Sequence, residues 1–146
     1  MTQYPSKNIL LVDDDQNDVT LMINALEDAH FGNEIIVAED GEEALDFLYR
    51  RGKFSGYKGE YPVFILLDIK MPIMNGIEVL KIIRTDHSFD KIPVIMMTSS
   101  RDIHDLDECY ENGANSFVVK PVNISDFISV VKNVGQYWIV INEISS

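Results

Sequence analysis

The sequence predicts an α/β fold, a (βα)5 chain whose five strands form one doubly wound parallel sheet with helices on both faces. Short apolar runs recur along the chain, helical stripes separate them, and two of the runs are apolar throughout instead of alternating. A strand needs that uniform composition when helices cover both its faces. The first strand is expected at residues 8–12. Val19, Met22, Ile23, Leu26 and Ala29 follow at three- and four-residue steps and make one helical stripe. The second strand, at 34–38, precedes a stripe of Ala44, Leu45 and Leu48. The uniformly apolar run at 63–67 is the third strand, followed by Ile77, Leu80, Ile83 and Arg84. The run at 93–97 is the fourth, followed by Ile103, Leu106, Cys109 and Tyr110. The fifth strand, at 116–119, leads into Phe127, Ile128, Val130, Val131 and Val134. Right-handed crossovers then fix the topology, and such sheets bind ligands beyond the carboxyl ends of their strands.

The chain has 146 residues, 46% of them apolar, which suits one well-buried core and is too short for two ordinary domains. A single domain over residues 1–146 is expected, with its core at about 7–135 and an apolar C-terminal extension at 136–146. The formal charge is −12, and the sequence offers no basic patch to offset it. Direct binding to nucleic acid or to anionic lipid is therefore not expected. Cys109 is the only cysteine, so no intramolecular disulfide or thiolate metal cluster can form. It fits a reducing compartment and reads as a small buried apolar residue. The longest apolar runs fall far short of a membrane span, and no signal peptide is evident, so a soluble cytoplasmic protein is expected. Residues 51–61 form a polar, Gly-rich segment longer than most connections between a helix and a strand. Two readings fit it, a partner-binding loop or a tolerated insertion.

Polar clusters end four of the apolar runs. Asp13, Asp14 and Asp15 end the first, Asp68 the third, Thr98, Ser99 and Ser100 the fourth, and Lys120, followed by Pro121, the fifth. A parallel sheet brings all of them to one edge. Crowded carboxylates raise each other's pKa and burial penalises each charge, so this edge needs a cation. Oxygen ligands without His or Cys suit Mg2+, or a similar ion such as Mn2+, which accepts carboxylate and phosphate oxygens. A carboxylate in such a place can attack phosphorus and form an aspartyl phosphate. Asp68 would be the nucleophile, with the Lys120 ammonium and the Thr98 hydroxyl covering oxygens of the transferred group. Taken singly, each residue has a plainer reading: an acid after a strand caps a helix, a strand-end threonine is structural, and a lysine before proline is a surface charge. Asp15 fits the capping role. Their joint arrival at the ends of separate parallel strands favours a site.

These residues lie in segments that resemble the receiver domains of bacterial two-component response regulators, with a flavodoxin-like, CheY-like fold. The segments are 9–15 (Ile-Leu-Leu-Val-Asp-Asp-Asp), 67–76 (Leu-Asp-Ile-Lys-Met-Pro-Ile-Met-Asn-Gly), 93–99 (Pro-Val-Ile-Met-Met-Thr-Ser) and 118–121 (Val-Val-Lys-Pro). They occur in the family's order and spacing, and the resemblance spans nearly the whole chain. It implies Asp13 and Asp14 as the acidic metal pair, Asp68 as phosphoacceptor and a further metal contact from the Lys70 backbone carbonyl. It also implies Thr98 as switch hydroxyl, Lys120 as phosphoryl clamp and a cis bond before Pro121. Family switching couples the threonine to rotation of an aromatic on the last strand, here Phe117, and reshapes the α4-β5-α5 face. Many relatives carry tyrosine there. The long segment before the third strand and the stretch at 86–93 resemble the stand-alone regulators paired with bacteriophytochrome-type histidine kinases. That likeness implies a sensor histidine kinase as partner, and a homodimer formed through the α4-β5-α5 side and the C-terminal extension.

Gln136, Tyr137, Trp138, Ile139, Val140 and Ile141 carry an apolar run past the expected end of the last helix. It reads equally as an interface and as a segment folded back on the core. An electron carrier of flavodoxin type needs a phosphate loop after the first strand, which residues 13–18 would repel. A phosphatase of the haloacid dehalogenase type resembles a pattern with a second aspartate two residues after the first, where this chain has Lys70. A phosphorylation-independent pseudo-receiver, acting only as an interaction module, is the remaining alternative. Nothing resembling a helix-turn-helix or a catalytic output domain follows residue 141. The expected outputs are partner binding or relay of phosphate to a histidine phosphotransfer protein, without enzymatic turnover beyond the domain's own phosphorylation and dephosphorylation.

Overall fold

The computed structural model describes residues 7–141. Five parallel strands lie in the order β2-β1-β3-β4-β5: β1 (Ile9–Val12), β2 (Ile35–Ala38), β3 (Phe64–Leu67), β4 (Val94–Thr98) and β5 (Ser116–Val119). The intervening helices are α1 (Gln16–Asp28), α2 (Gly41–Tyr49), α3 (Gly76–Thr85), α4 (Ile103–Glu111) and α5 (Ile124–Gln136). Strand pairing is in register, with Val12 opposite both Ala38 and Leu67, so the strands end together at one edge.

Two apolar layers explain why the central strands are uniformly apolar. Ile9 and Leu11 of β1, Phe64 and Leu66 of β3, and Ile95 and Met97 of β4 pack with Val19, Met22 and Leu26 of α1 and with Phe127 and Val131 of α5. The alternate residues Leu10, Val12, Ile65, Leu67, Val94 and Met96 pack with α2, α3 and Cys109 of α4. Successive side chains on a strand point to opposite faces, so both sets must be apolar. The edge strands β2 and β5 are mostly half-buried. At Gly135 a β-carbon would come within 2.7 Å of the Phe31 ring, which is how closely α5 settles against the end of α1.

Each helix starts on an Asp or Asn cap: Asp15, Asp40, Asn75, Asp102 and Asn123. At α3 the cap is reciprocal, the Asn75 side chain accepting from the Glu78 amide and the Glu78 carboxylate from the Asn75 amide. Helix α4 is the exception to the expected stripes. Only Cys109 is buried, while Ile103 and Tyr110 are exposed, because this acidic helix rests on the sheet by a narrow contact. Arg84 belongs to its stripe in an unexpected way: half-buried, it donates to the carbonyls of Gly113, Phe89 and Ile92 and to Asn115 Oδ1.

The segment at 51–61 is packed down. Phe54 and Tyr57 meet the Phe47 ring edge-on at 5.1 and 5.0 Å. The Tyr57 hydroxyl donates to Glu34 at 2.8 Å and accepts from Asn8 Nδ2 at 3.0 Å. At the other end, Tyr137–Ile141 continue α5 as one π-helical turn. Trp138 and Ile139 pack against the α1–α5 layer, as the fold-back reading expects, whereas Tyr137 and Val140 stay exposed. Positions 1–6 and 142–146 of the expected domain lie outside the described residues.

Gly76 fixes the loop after β3. Its amide donates to the Ile69 carbonyl at 2.8 Å, and a β-carbon there would collide with the Asp68 carbonyl oxygen. Gly76→Ala is expected to destabilise the domain by about 2 kcal/mol or more, since the atoms it would meet, in Asp68 and Ile69, are backbone and cannot yield as a flexible side chain would. Urea unfolding monitored by circular dichroism measures it.

Candidate functional site

The carboxyl edge of the sheet collects the residues that its strand ends deliver. Asp13 and Asp14 follow β1, Asp68 follows β3, Thr98 is the last residue of β4, and Lys120 follows β5. One carboxylate oxygen each from Asp13, Asp14 and Asp68 lies within 4.8 Å of the others, with Asp13 and Asp68 buried and Asp14 exposed. The Lys120 side chain is 9% exposed and reaches into this group. Its Nζ lies 2.7 Å from Asp13 Oδ2, 2.8 Å from Asp18 Oδ2 and 3.6 Å from Asp68 Oδ2.

Local structure explains the aim of each group. Asp13 Oδ1 accepts from the Asp15 amide at 2.9 Å, which turns the chain out of β1, and Asp15 then caps α1 by accepting from the amides of Asn17 and Asp18. Asp15 thus has the capping role its position suggested. The Lys120 amide donates to the Thr98 carbonyl at 2.7 Å and holds the end of β5 beside β4. The peptide bond before Pro121 is trans, contrary to the expectation of a cis bond. Trans is the ordinary state of such bonds, and Lys120 points inward without a cis turn because two carboxylates draw its ammonium into the pocket.

Burial dominates the electrostatics. It pushes Asp13 up to about 6, against the pull of the Lys120 hydrogen bond, the Asp15 amide and the Lys120 charge, while the charge of Asp68 adds to the rise. Asp68 is also raised, again by burial first. Lys120, the Thr98 hydroxyl and the amides of Ile69 and Lys70 work in the opposite direction. Burial disfavours the Lys120 ammonium too, but the carboxylates of Asp13 and Asp18 outweigh it and hold the group above the ordinary lysine value. Two buried carboxylates remain poorly compensated. A divalent cation among hard oxygen donors is the chemistry that relieves them, and Asp13, Asp14 and Asp68 fit such an ion in number and type.

Lys70 is exposed in the loop after Asp68, with its amide turned to the Asp68 carboxylate. Phe117 is half-buried against the α2–α4 layer, and its amide donates to the Tyr110 hydroxyl at 3.1 Å. Thr98 is fully buried and its hydroxyl accepts from the Ser100 amide at 3.2 Å, while Ser100 Oγ donates to Asp105 at 2.7 Å. Sequence reasoning missed Asp18 and Asp105. Both sit in the first turn of a helix, where an acid reads as a complement to the helix dipole.

A doubly wound domain with this acidic pocket at its carboxyl edge has the CheY-like, flavodoxin-type fold. The chain belongs to the response regulator receiver domain family, which residues 9–132 match. The family's members are signalling switches of two-component systems, not conventional enzymes. The chain is 32% identical over 135 residues to response regulator Rcp1 of Synechocystis sp., covering 92% of this chain and 90% of Rcp1. The Mn2+-bound form of Rcp1 superposes with a TM-score of 0.88 at 30% identity, over 96% of this chain and 99% of that one. The phosphorylated cyanobacterial phytochrome response regulator RcpA gives 0.90 at 30% identity, with coverage of 96% and 99%. The bacteriophytochrome response regulator AtBRR gives 0.74 at 42% identity, with coverage of 94% and 98%.

The raised pKa of Asp13 sets a sign for pH dependence. The folded chain binds a proton at this group at about 6 and the unfolded chain at the ordinary 3.8, so this carboxylate favours folding below that range and opposes it above. Without divalent ions, Asp13→Asn is therefore expected to gain more stability over wild type at pH 7.5 than at pH 4.5. Paired urea melts in chelator at the two pH values check the sign.

Proposed function

We propose that the chain is one receiver unit, residues 1–146 with its core at about 7–135, which accepts a phosphoryl group on Asp68 in the cytoplasm. The observation that carries this reading is the setting of the buried Asp68 carboxylate, beside Asp13 and Asp14 and opposite the Lys120 ammonium. A carboxylate oxygen of Asp68 attacks the phosphorus of a phosphohistidine, the phosphorus–nitrogen bond breaks, and the departing imidazole takes up a proton. Lys120 and Thr98 then hold two of the phosphoryl oxygens. Asp13, Asp14 and Asp68, with the Lys70 carbonyl, would hold Mg2+ or Mn2+. When bound, that ion would offset negative charge on the transferring group. The domain promotes only its own phosphorylation and dephosphorylation.

Likeness to Rcp1, RcpA and AtBRR supports a sensor histidine kinase of the bacteriophytochrome type as donor. The signal leaves through Thr98, Phe117 and the α4-β5-α5 face, toward a partner, a histidine phosphotransfer protein or a second copy of the chain. Exposed Tyr137 and Val140 at the end of α5 support the last of these. A phosphorylation-independent interaction module is disfavoured because the acidic, hydroxyl and ammonium groups all reach the same pocket.

Intact mass after incubation with acetyl phosphate tests the proposal. Wild type is expected to gain one phosphoryl group only with Mg2+, and Asp68→Asn none, with its fold retained because the amide is nearly isosteric. Labelled Asp68→Asn would sink the assignment. Lys120→Ala is expected to accept phosphate at least about tenfold more slowly, having lost the cationic partner of a phosphoryl oxygen.

A further inference from the structure

Asp18 is not one of the acids that can share an ion, a group made of Asp13, Asp14 and Asp68. It stands on the first turn of α1, with its own amide held by the Asp15 cap and its side chain 25% exposed, and it spans the gap to Lys120 at 2.8 Å. An ammonium has three N–H donors at tetrahedral angles. Asp13 at 2.7 Å and Asp18 at 2.8 Å engage two of them, and Asp68 at 3.6 Å is the remaining carboxylate within ion-pair reach. Two short bonds from different directions fix a long side chain that otherwise has four free rotors. Asp13 also belongs to the ion-holding group, whereas the side-chain bond of Asp18 among the described residues goes to the lysine.

We infer that Asp18 is a positioning residue for phosphoryl transfer: it anchors the Lys120 ammonium inside the pocket so that one N–H faces the Asp68 carboxylate, where the phosphoryl oxygens arrive. The inference rests on Asp68 being the phosphoacceptor. Asp18 touches neither the phosphoryl group nor the ion, and acts by confining the lysine. Losing it leaves Asp13 as the single short contact of the ammonium, with Asp68 at 3.6 Å. The anchoring needs an acceptor oxygen at this place more than it needs a full charge, because Asp13 and Asp68 already supply charge to the lysine.

The test compares wild type, Asp18→Ala and Asp18→Asn by the rate of phosphoryl uptake from acetyl phosphate at saturating Mg2+, read by intact mass. Mg2+ affinity is measured by calorimetry, and the Lys120 ammonium signal by 15N-edited NMR. Asp18→Ala is expected to slow uptake about tenfold or more and to lose the ammonium signal to solvent exchange, with Mg2+ affinity unchanged. Asp18→Asn, which keeps an acceptor oxygen in place, is expected to recover most of the rate and the signal. Wild-type uptake in Asp18→Ala overturns the inference while leaving Asp68 as phosphoacceptor. So does an Asp18→Asn variant as slow as Asp18→Ala. If wild type itself takes no phosphoryl group, the reading of Asp68 falls and the positioning role falls with it.

Discussion

One ammonium holds the carboxyl edge together. Lys120, delivered by the last strand, meets Asp13 and Asp18 from the beginning of the chain, more than a hundred residues away, and lies close to Asp68 from the middle. Four carboxylates, counting Asp14, therefore face a single cation, and burial raises both Asp13 and Asp68 above their ordinary range. Such a pocket is a poor source of stability, because the desolvation of each charge rivals what the ion pairs return. It is a good place to receive a divalent ion, and the deficit of positive charge that weakens the fold is the same deficit that selects for one.

The strain of that pocket is tolerable because the scaffold beneath it is stiff. Two apolar layers clamp β1, β3 and β4 from both sides, so the strand ends cannot splay when like charges meet there. Gly76 lets the loop after β3 fold tightly under Asp68, and the Asn75–Glu78 capping box starts α3 immediately beyond it. The acidic residues are thus held by backbone hydrogen bonds and caps rather than by one another.

What was legible in the sequence follows from how strictly each feature is patterned. The central strands are readable because burial on both faces admits only apolar residues, and the site is readable because a parallel sheet must bring its strand ends to one edge. Asp18 was hidden because an acid in a first helical turn has an ordinary explanation, and only the reach of Lys120 across the sheet gives it another. The segment at 51–61 reads in the sequence as a partner-binding loop or a tolerated insertion, since its composition conceals that Phe54 and Tyr57 dock on Phe47. The C-terminal run could be read two ways because its apolar residues divide between two environments: a π-helical turn packs Trp138 and Ile139 inward and leaves Tyr137 and Val140 exposed. The bond before Pro121 departs from the family's pattern, and no local residue choice announces it.

The same geometry shows how an event at Asp68 could reach a surface. The Thr98 hydroxyl bonds to Asp68 and accepts from the Ser100 amide, and Ser100 Oγ continues to Asp105 in the first turn of α4. On the proposed function, a phosphoryl oxygen that recruits the Thr98 hydroxyl proton would replace its bond to Asp68 and leave the Ser100 amide bond in place, so Thr98 and Ser100 would link the pocket to the start of α4. Of the five α-helices, α4 has the fewest buried residues, Cys109 alone, so few core contacts hold it in place. Phe117 lies along the same route without a hydroxyl of its own, and its amide is bonded to Tyr110 on the last turn of α4. The bond between β5 and α4 at this point is made by the Phe117 backbone amide, so a rotation of the Phe117 ring leaves it in place and moves only the ring's packing against the layer that holds Cys109.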